Sequence, residues 1–234
     1  MITHLGIVLD GNRRFAKYLM KRPWEGHRIG LDKARDAIGW ACKYGIKHIT
    51  AYVLSLENLS TRPKKELEYI FKYFKMEADS ILEDKNHIVN KNKVKVKFIG
   101  RIHLLPKDLK EKIAKVEEKT KNNKDYFLNI AIAYGGQQEI VDAVKSIVEK
   151  SMKGILSPSQ LNEEVFKKHL YTNGQPYPDL IIRTGGEKRL SNFLPYQSVY
   201  SELMFLDKKW PEMNESDFLK AFKEFERRQR RFGG

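Results

Sequence analysis

The sequence predicts a single α/β domain built on a mostly parallel sheet. Three observations carry this. Short isoleucine- and valine-rich runs end in polar glycine loops, as in His4-Leu5-Gly6-Ile7-Val8-Leu9-Asp10-Gly11 and Asp179-Leu180-Ile181-Ile182-Arg183-Thr184-Gly185-Gly186. An apolar run of that length bounded by turn residues is the pattern of a buried strand. Such runs alternate with helix-length stretches whose apolar residues recur every three or four positions, and strand, helix, strand is the parallel crossover unit. Finally, 234 residues with no linker, internal repeat or composition shift fit one domain (1–234) with a full core.

In chain order, the strand that reaches Asp10 is followed by a short helix over residues 15–19 and a turn at Pro23-Trp24-Glu25-Gly26-His27. Leu31, Ala34, Ile38, Ala41 and Cys42 then mark an amphipathic helix over 28–43, ending before Gly45. Residues 47–54 read as the second strand, running into a polar loop from Ser55 to Pro63. The helix over residues 63–85 carries Leu67, Ile70, Phe71, Phe74, Ala78, Ile81 and Leu82 on one stripe, which serves as plain core or as the wall of a hydrophobic ligand cavity. A strand at 93–99 alternates lysine with valine, placing the lysines outward. A helix over 106–122 and a strand at 126–133 follow. Beyond Gly135-Gly136 comes a helix over 137–153, then short helices from Ser157-Pro158 and over 162–170. After the strand at 179–183, a last strand is expected at 205–207. The final helix starts at Asn214, with Phe218, Phe222 and Phe225 along it.

The chain is 41% hydrophobic and 32% charged, with 44 basic and 30 acidic residues giving a net charge of +14. A cationic chain suits nucleic acid, an anionic membrane surface or phosphorylated substrates. Nucleic acid is disfavoured, because no basic patch is interleaved with aromatics and no known motif occurs. No apolar run approaches the roughly 20 residues of a membrane span, and Met1 leads directly into a strand. The expected location is cytoplasmic. A single cysteine, Cys42, excludes an internal disulfide and a cysteine-built metal site.

Two glycine loops carry the chemistry. Arg183, Arg189 and Ser191 surround Gly185-Gly186, and fork-shaped guanidiniums meet phosphate oxygens two at a time. Asp10-Gly11-Asn12-Arg13-Arg14 offers a strand-end carboxylate with two more arginines. In open α/β sheets ligands bind at the carboxyl ends of strands, so both loops should face one side. There is no His/Cys cluster; a hard, oxygen-seeking ion such as Mg²⁺ suits the carboxylates Asp10 and Glu202 with substrate phosphates. Walker, Rossmann, nucleophile-elbow and zincin motifs are all absent.

These blocks resemble the cis-prenyltransferases, the undecaprenyl and dehydrodolichyl diphosphate synthase family. The resemblance covers residues 4–17, Gly26-His27, Ser55-x-Glu57-Asn58, Asn129-x-Ala131-x-x-Tyr134-Gly135-Gly136, residues 183–193, Tyr200-x-Glu202-Leu203 and Arg231-Phe232-Gly233, in the family's order. It implies a sheet of about six mostly parallel strands, flanked by helices enclosing a hydrophobic tunnel, in a homodimer. The implied reaction condenses isopentenyl diphosphate onto an allylic diphosphate, farnesyl or geranylgeranyl, forming cis double bonds in a carrier-lipid precursor. By the resemblance Asp10 is catalytic and holds Mg²⁺ on the allylic diphosphate, while Glu202 shares a Mg²⁺. Gly11, Asn12, Arg13 and Arg14 form the phosphate loop, and His27, Ser55 and Asn58 lie near the reacting ends. Arg183, Arg189 and Ser191 bind isopentenyl diphosphate, and Arg231 and Gly233 reach across the dimer. Phe15, Leu56, Glu57, Arg62 and Leu190 complete the implied substrate contacts. Asp10, Asn58 and the departing diphosphate are the candidate proton acceptors. Peripheral contact with a membrane would serve product release.

The chain departs from the family pattern in four places. Pro23 stands where an arginine is common, Leu59 replaces an aromatic, one extra residue lies between Asn58 and Arg62, and Val53-Leu54 replaces Ala-Phe. A non-catalytic partner subunit of a heteromeric enzyme would lack the loop aspartate and much of the Arg-Thr-Gly-Gly-Glu block. This chain keeps both.

Overall fold

The computed structural model describes residues 1–228. The first half supplies β1 (His4–Val8), α1 (Asn12–Tyr18), α2 (Pro23–Lys43), β2 (His48–Ser55), α3 (Leu56–Thr61), α4 (Lys64–Glu83), α5 (Ile88–Lys91), β3 (Val94–Ile99) and α6 (Lys107–Thr120). The second half supplies β4 (Tyr126–Tyr134), α7 (Gly136–Met152), α8 (Glu163–His169), β5 (Leu180–Arg183), β6 (Glu202–Phe205) and α9 (Glu215–Arg227). All strand pairs are parallel, in the order β3-β4-β2-β1-β5-β6. The chain leaves β1 toward β2 and leaves β5 toward β6 on the opposite side. The carboxyl ends of β1 and β5 therefore flank a topological switch point, where ligands of open parallel sheets bind.

Period-two alternation decides which face each strand residue serves. Leu5, Ile7, Leu180 and Ile182 join the core under α2, α4 and α9, whereas Val8 and Ile181 pack on the other face against Phe193 and Leu194.

Four expectations need correction. The turn expected at Pro23 to His27 is the first turn of α2: Pro23 takes the opening position and the Glu25 carboxylate accepts the Arg22 N–H at 2.8 Å. Gly26 marks a close helix crossing instead of a turn, since a Cβ there would lie 2.1 Å from the Asn12 carbonyl oxygen on α1. The polar loop expected after β2 is the helix α3, because the Ser55 hydroxyl accepts the Asn58 N–H at 3.0 Å and caps it. The last strand lies at Glu202–Phe205, with Phe205 opposite Arg183. Its carboxyl end is spent on the glycine loop, where Leu206 and Lys208 carbonyls accept the Gly186 and Gly185 N–H groups. Lys97 on β3 is not turned fully outward; its Nζ donates to the Tyr171 carbonyl at 2.7 Å, and burial lowers its pKa.

Candidate active site

Asp10 stands two residues beyond β1, and Arg183 ends the neighbouring β5. Parallel pairing therefore brings carboxylate and guanidinium together, with Arg183 Nη2 2.8 Å from Asp10 Oδ2. Arg14, one helical turn on, donates to Asp10 Oδ1 at 3.2 Å. The Thr184 hydroxyl donates to the Asp10 carbonyl at 2.7 Å and accepts its N–H at 3.1 Å, tying the two loops together. Arg183 is only 5% exposed, and its Nη1 donates to Ser191 Oγ at 2.7 Å and the Arg189 carbonyl at 2.6 Å. Ser191, Asn192 and Leu194 hold left-handed backbone, so this loop is tightly wound. Asn192 bridges it to α3 by donating to Glu57 Oε1 at 2.9 Å.

A second cluster forms where α2 meets α4. Glu66 is 3% exposed, and its Oε1 lies 2.9 Å from both His27 Nε2 and Arg62 Nη1. Arg13 approaches Glu66 Oε2 at 3.7 Å. Burial alone would raise the Glu66 pKa, but the His27 hydrogen bond and the Arg62 and Arg13 charges outweigh it and hold the carboxyl below its ordinary value. Burial lowers the His27 pKa, so the ring is neutral near pH 7. Its Nε2 also lies 2.9 Å from Arg62 Nη1, so one tautomer donates to Glu66 and the other accepts from Arg62.

Around these groups opens a polar cavity lined by Asp10, Gly11, Asn12, Arg13, Arg14, His27, Ser55, Glu57, Asn58, Arg62, Arg183, Arg189 and Ser191. Seven arginines and lysines face three carboxylates across it, a surplus that suits polyanions. Leu9, Asn12, His27 and Val53 also line an apolar channel that runs between α2, α4 and the sheet, past Leu31, Ile38, Ile70, Phe74 and Ile81. Among the described residues, five buried side-chain N or O atoms lack a hydrogen-bond partner. Three of them, Asn12 Oδ1, Arg62 Nε and Arg183 Nε, belong to residues of this cavity. Unspent buried polar atoms gathered in one place mark a ligand site.

The expected residues do not all meet here. Phe15, Leu56 and Leu190 are adjacent in sequence to cavity residues but do not line it. Glu202 opens β6 in register with Leu180 and Leu5, at the amino end of the sheet, whereas Asp10 lies past its carboxyl end. Its carboxylate pairs instead with Arg228 at 2.8 Å. The expectation that Asp10 and Glu202 share one ion therefore does not fit this arrangement within a single chain. Arg231 and Gly233 lie outside the described residues. Among the described residues no group of three His, Cys, Asp or Glu side chains gathers. The residues present fit a hard divalent ion held by Asp10, with most other ligands drawn from phosphate oxygens and water. Glu66, Glu187 and Asn192 were missed; an acid four residues after Arg62 on a helix was the available signal for Glu66.

Fold and cavity define an α/β enzyme whose polyanion site opens onto an apolar channel, the shape required for diphosphates with hydrocarbon tails. A family model described as "Putative undecaprenyl diphosphate synthase" matches residues 8–233, and the chain belongs to that family. It is similar to the tritrans,polycis-undecaprenyl-diphosphate synthase (geranylgeranyl-diphosphate specific) of Methanopyrus kandleri, 48% identical over 98% of this chain and 84% of that one. The Methanocaldococcus jannaschii protein of the same name is 47% identical over 98% of this chain and 82% of its own length. Among solved structures, lavandulyl diphosphate synthase from Lavandula x intermedia in complex with dimethylallyl diphosphate superposes with a TM-score of 0.93. It is 34% identical and covers 100% of this chain and 98% of its own. A probable undecaprenyl diphosphate synthase from Campylobacter jejuni gives a TM-score of 0.81 at 33% identity, covering 100% of this chain and 99% of that one.

Proposed function

We propose that the chain elongates an allylic diphosphate by adding isopentenyl units in cis geometry, with geranylgeranyl diphosphate as the starter. The observation that carries this reading is the continuity of the cationic cavity with the apolar channel through Leu9, Asn12, His27 and Val53. The starter is proposed from the archaeal relatives, whose names specify geranylgeranyl diphosphate.

In this reading the Asp10-Arg14 loop holds the allylic diphosphate, with the hydrocarbon tail in the channel between α2 and α4. Arg183, Arg189 and Ser191 hold the isopentenyl diphosphate beside it. A Mg²⁺ held by Asp10 would supply positive charge to the departing diphosphate. Arg13, Arg14 and Arg62 add charge stabilisation from fixed positions, so little reorganisation is needed as the leaving group forms. The terminal alkene carbon of isopentenyl diphosphate bonds to the allylic carbon as the allylic carbon–oxygen bond breaks. Loss of a proton from the isopentenyl C2 then makes the new double bond. Asp10, Asn58 and the released diphosphate stand as its acceptors. The apolar lining between α2 and α4 gives the hydrocarbon tail a surface that disfavours water.

We propose further that the enzyme works as a homodimer making a carrier-lipid precursor. In support of self-association, α7 exposes Val141, Val144, Val148 and Met152 along one face. The reading is tested by incubating purified protein with labelled isopentenyl diphosphate, Mg²⁺ and either starter. A ladder of cis-polyprenyl diphosphates, faster from geranylgeranyl diphosphate, is expected. No elongation of any allylic starter by folded protein would overturn it.

A further inference from the structure

The turn joining α1 to α2 closes as a Schellman motif, in which the Lys21 N–H donates to Ala16 O at 2.8 Å and the Met20 N–H to Lys17 O at 3.0 Å. This closure forces Met20 into left-handed backbone, with φ 55°. Glycine occupies such a position without strain, whereas an L side chain does not. Yet the chain places methionine there and leaves it 97% exposed, beside Tyr18 at 74% and Leu19 at 39%. Single exposed apolar residues are ordinary, but three in succession on a strained turn call for a physical reason.

Cations and aromatics surround this tip. Lys17, Lys21, Arg22 and Arg28 are exposed around it, and Lys209 Nζ lies 5.8 Å from the Tyr18 ring. Trp24 stacks on Tyr69 at 4.8 Å, with the Arg22 guanidinium 5.4 Å and the Lys65 ammonium 5.5 Å from the Trp24 ring centroid. Glu25 is the nearby acid in sequence, and it spends Oε2 on the Arg22 N–H at 2.8 Å.

We propose that the tip Tyr18-Leu19-Met20 enters the headgroup layer of an anionic lipid bilayer, with the surrounding lysines and arginines on the lipid charges. An apolar tip inside a cationic collar matches both layers of such a surface, and tryptophan and tyrosine favour its headgroup level. Nucleic acid would reward the cations but not the exposed Leu19 and Met20. The location has a consequence for the proposed reaction, on which this inference rests. Lys17, Lys21 and Pro23 line the polar cavity, so the tip stands at the rim where the diphosphate head of a water-insoluble product is held.

The test is co-sedimentation of the full chain, without substrate, with phosphatidylcholine vesicles and with vesicles containing phosphatidylglycerol. Wild-type protein is expected to pellet with the anionic vesicles, less so in high salt. Leu19→Ser with Met20→Gly should weaken this partitioning about tenfold or more. Met20→Gly alone should raise the thermal midpoint, so unfolding would not explain the loss. Prenyl transfer in detergent should be unchanged in the double variant. Failure of wild type to pellet would overturn the inference, as would equal pelleting of the double variant, which would assign binding to net charge alone. Because pelleting is read without turnover, a protein that pellets but transfers no prenyl group overturns the proposed function and leaves the membrane contact standing.

Discussion

Asp10 keeps one carboxylate oxygen on Arg183 and the other on Arg14, so removing it takes a shared counter-charge from two guanidiniums in a cavity already rich in cations. Asp10→Ala is expected to lower prenyl transfer by about 10³-fold or more with an unchanged circular dichroism spectrum. Turnover near that of wild type would remove Asp10 from the chemistry. Glu66 offers a different test, because it organises cavity residues from behind. Truncation to alanine leaves Arg62 buried without its counter-charge, and breaking a buried pair in this way costs about 3–5 kcal/mol. Denaturant unfolding should show that loss, and a change below about 1 kcal/mol would mean that water replaces the carboxylate. The two residues also differ in how far the sequence reveals them. Asp10 sits at the end of an apolar run and before a glycine, the pattern of a carboxylate leaving a buried strand. Glu66 lies in the first turn of a helix, where the macrodipole already favours a solvated acid. Only the folding of α2 onto α4 brings it to His27, 39 residues away.

At the scale of elements, apolar periodicity locates five of the six strands and every long helix, whereas glycine and proline punctuation misleads at the Pro23–His27 junction. Pro23 and Gly26 read as a turn because local chemistry cannot distinguish a glycine that bends the chain from one that admits a neighbouring backbone. The final strand was displaced because pairing with β5, not the most apolar residues, determines where β6 lies. The α2 glycines make this distinction measurable. A Cβ at Gly26 would meet backbone on α1, 2.1 Å from the Asn12 oxygen, whereas one at Gly39 would meet only the Ile88 side chain, its Cδ1 at 3.3 Å and its Cγ1 at 3.6 Å. Gly26→Ala should therefore cost about 1–3 kcal/mol and depress turnover, since the displaced helix carries Arg13 and Arg14. Gly39→Ala should stabilise by about 0.5–1 kcal/mol through helix propensity alone. Equal effects in thermal melts would show that the α1–α2 crossing is not rigid. The apolar face of α7 is tested in the same way, with Val144→Glu and Val148→Glu expected to convert the proposed dimer to monomer in sedimentation equilibrium. An unchanged mass would place the interface elsewhere.

Across the whole molecule, the cavity occupies the carboxyl end of the sheet while the amino end is closed by an uncharged polar lock. His4 Nδ1 donates to the Pro176 carbonyl at 2.6 Å, and its Nε2 accepts the Thr50 hydroxyl at 2.9 Å. Thr50 in turn accepts from Asn129 Nδ2 at 3.0 Å, so β1, β2 and β4 are joined through one neutral imidazole. This tautomer leaves no place for a second ring proton. Burial, with a smaller contribution from His48, pushes the His4 pKa down from 6.5 to about 4, despite the opposing Pro176 hydrogen bond and the Asp179 charge. Between those values the unfolded chain binds a proton that the folded chain refuses, so stability rises with pH across that window. The contribution is fully present above pH 6.5 and is lost as pH falls toward about 4, amounting to roughly 3 kcal/mol. Unfolding free energies measured from pH 7 to pH 4 should show this slope, and His4→Gln should flatten it while lowering stability at pH 7. A slope that survives the substitution would assign the acid sensitivity to other groups, with His48, whose pKa burial also lowers, the first to replace.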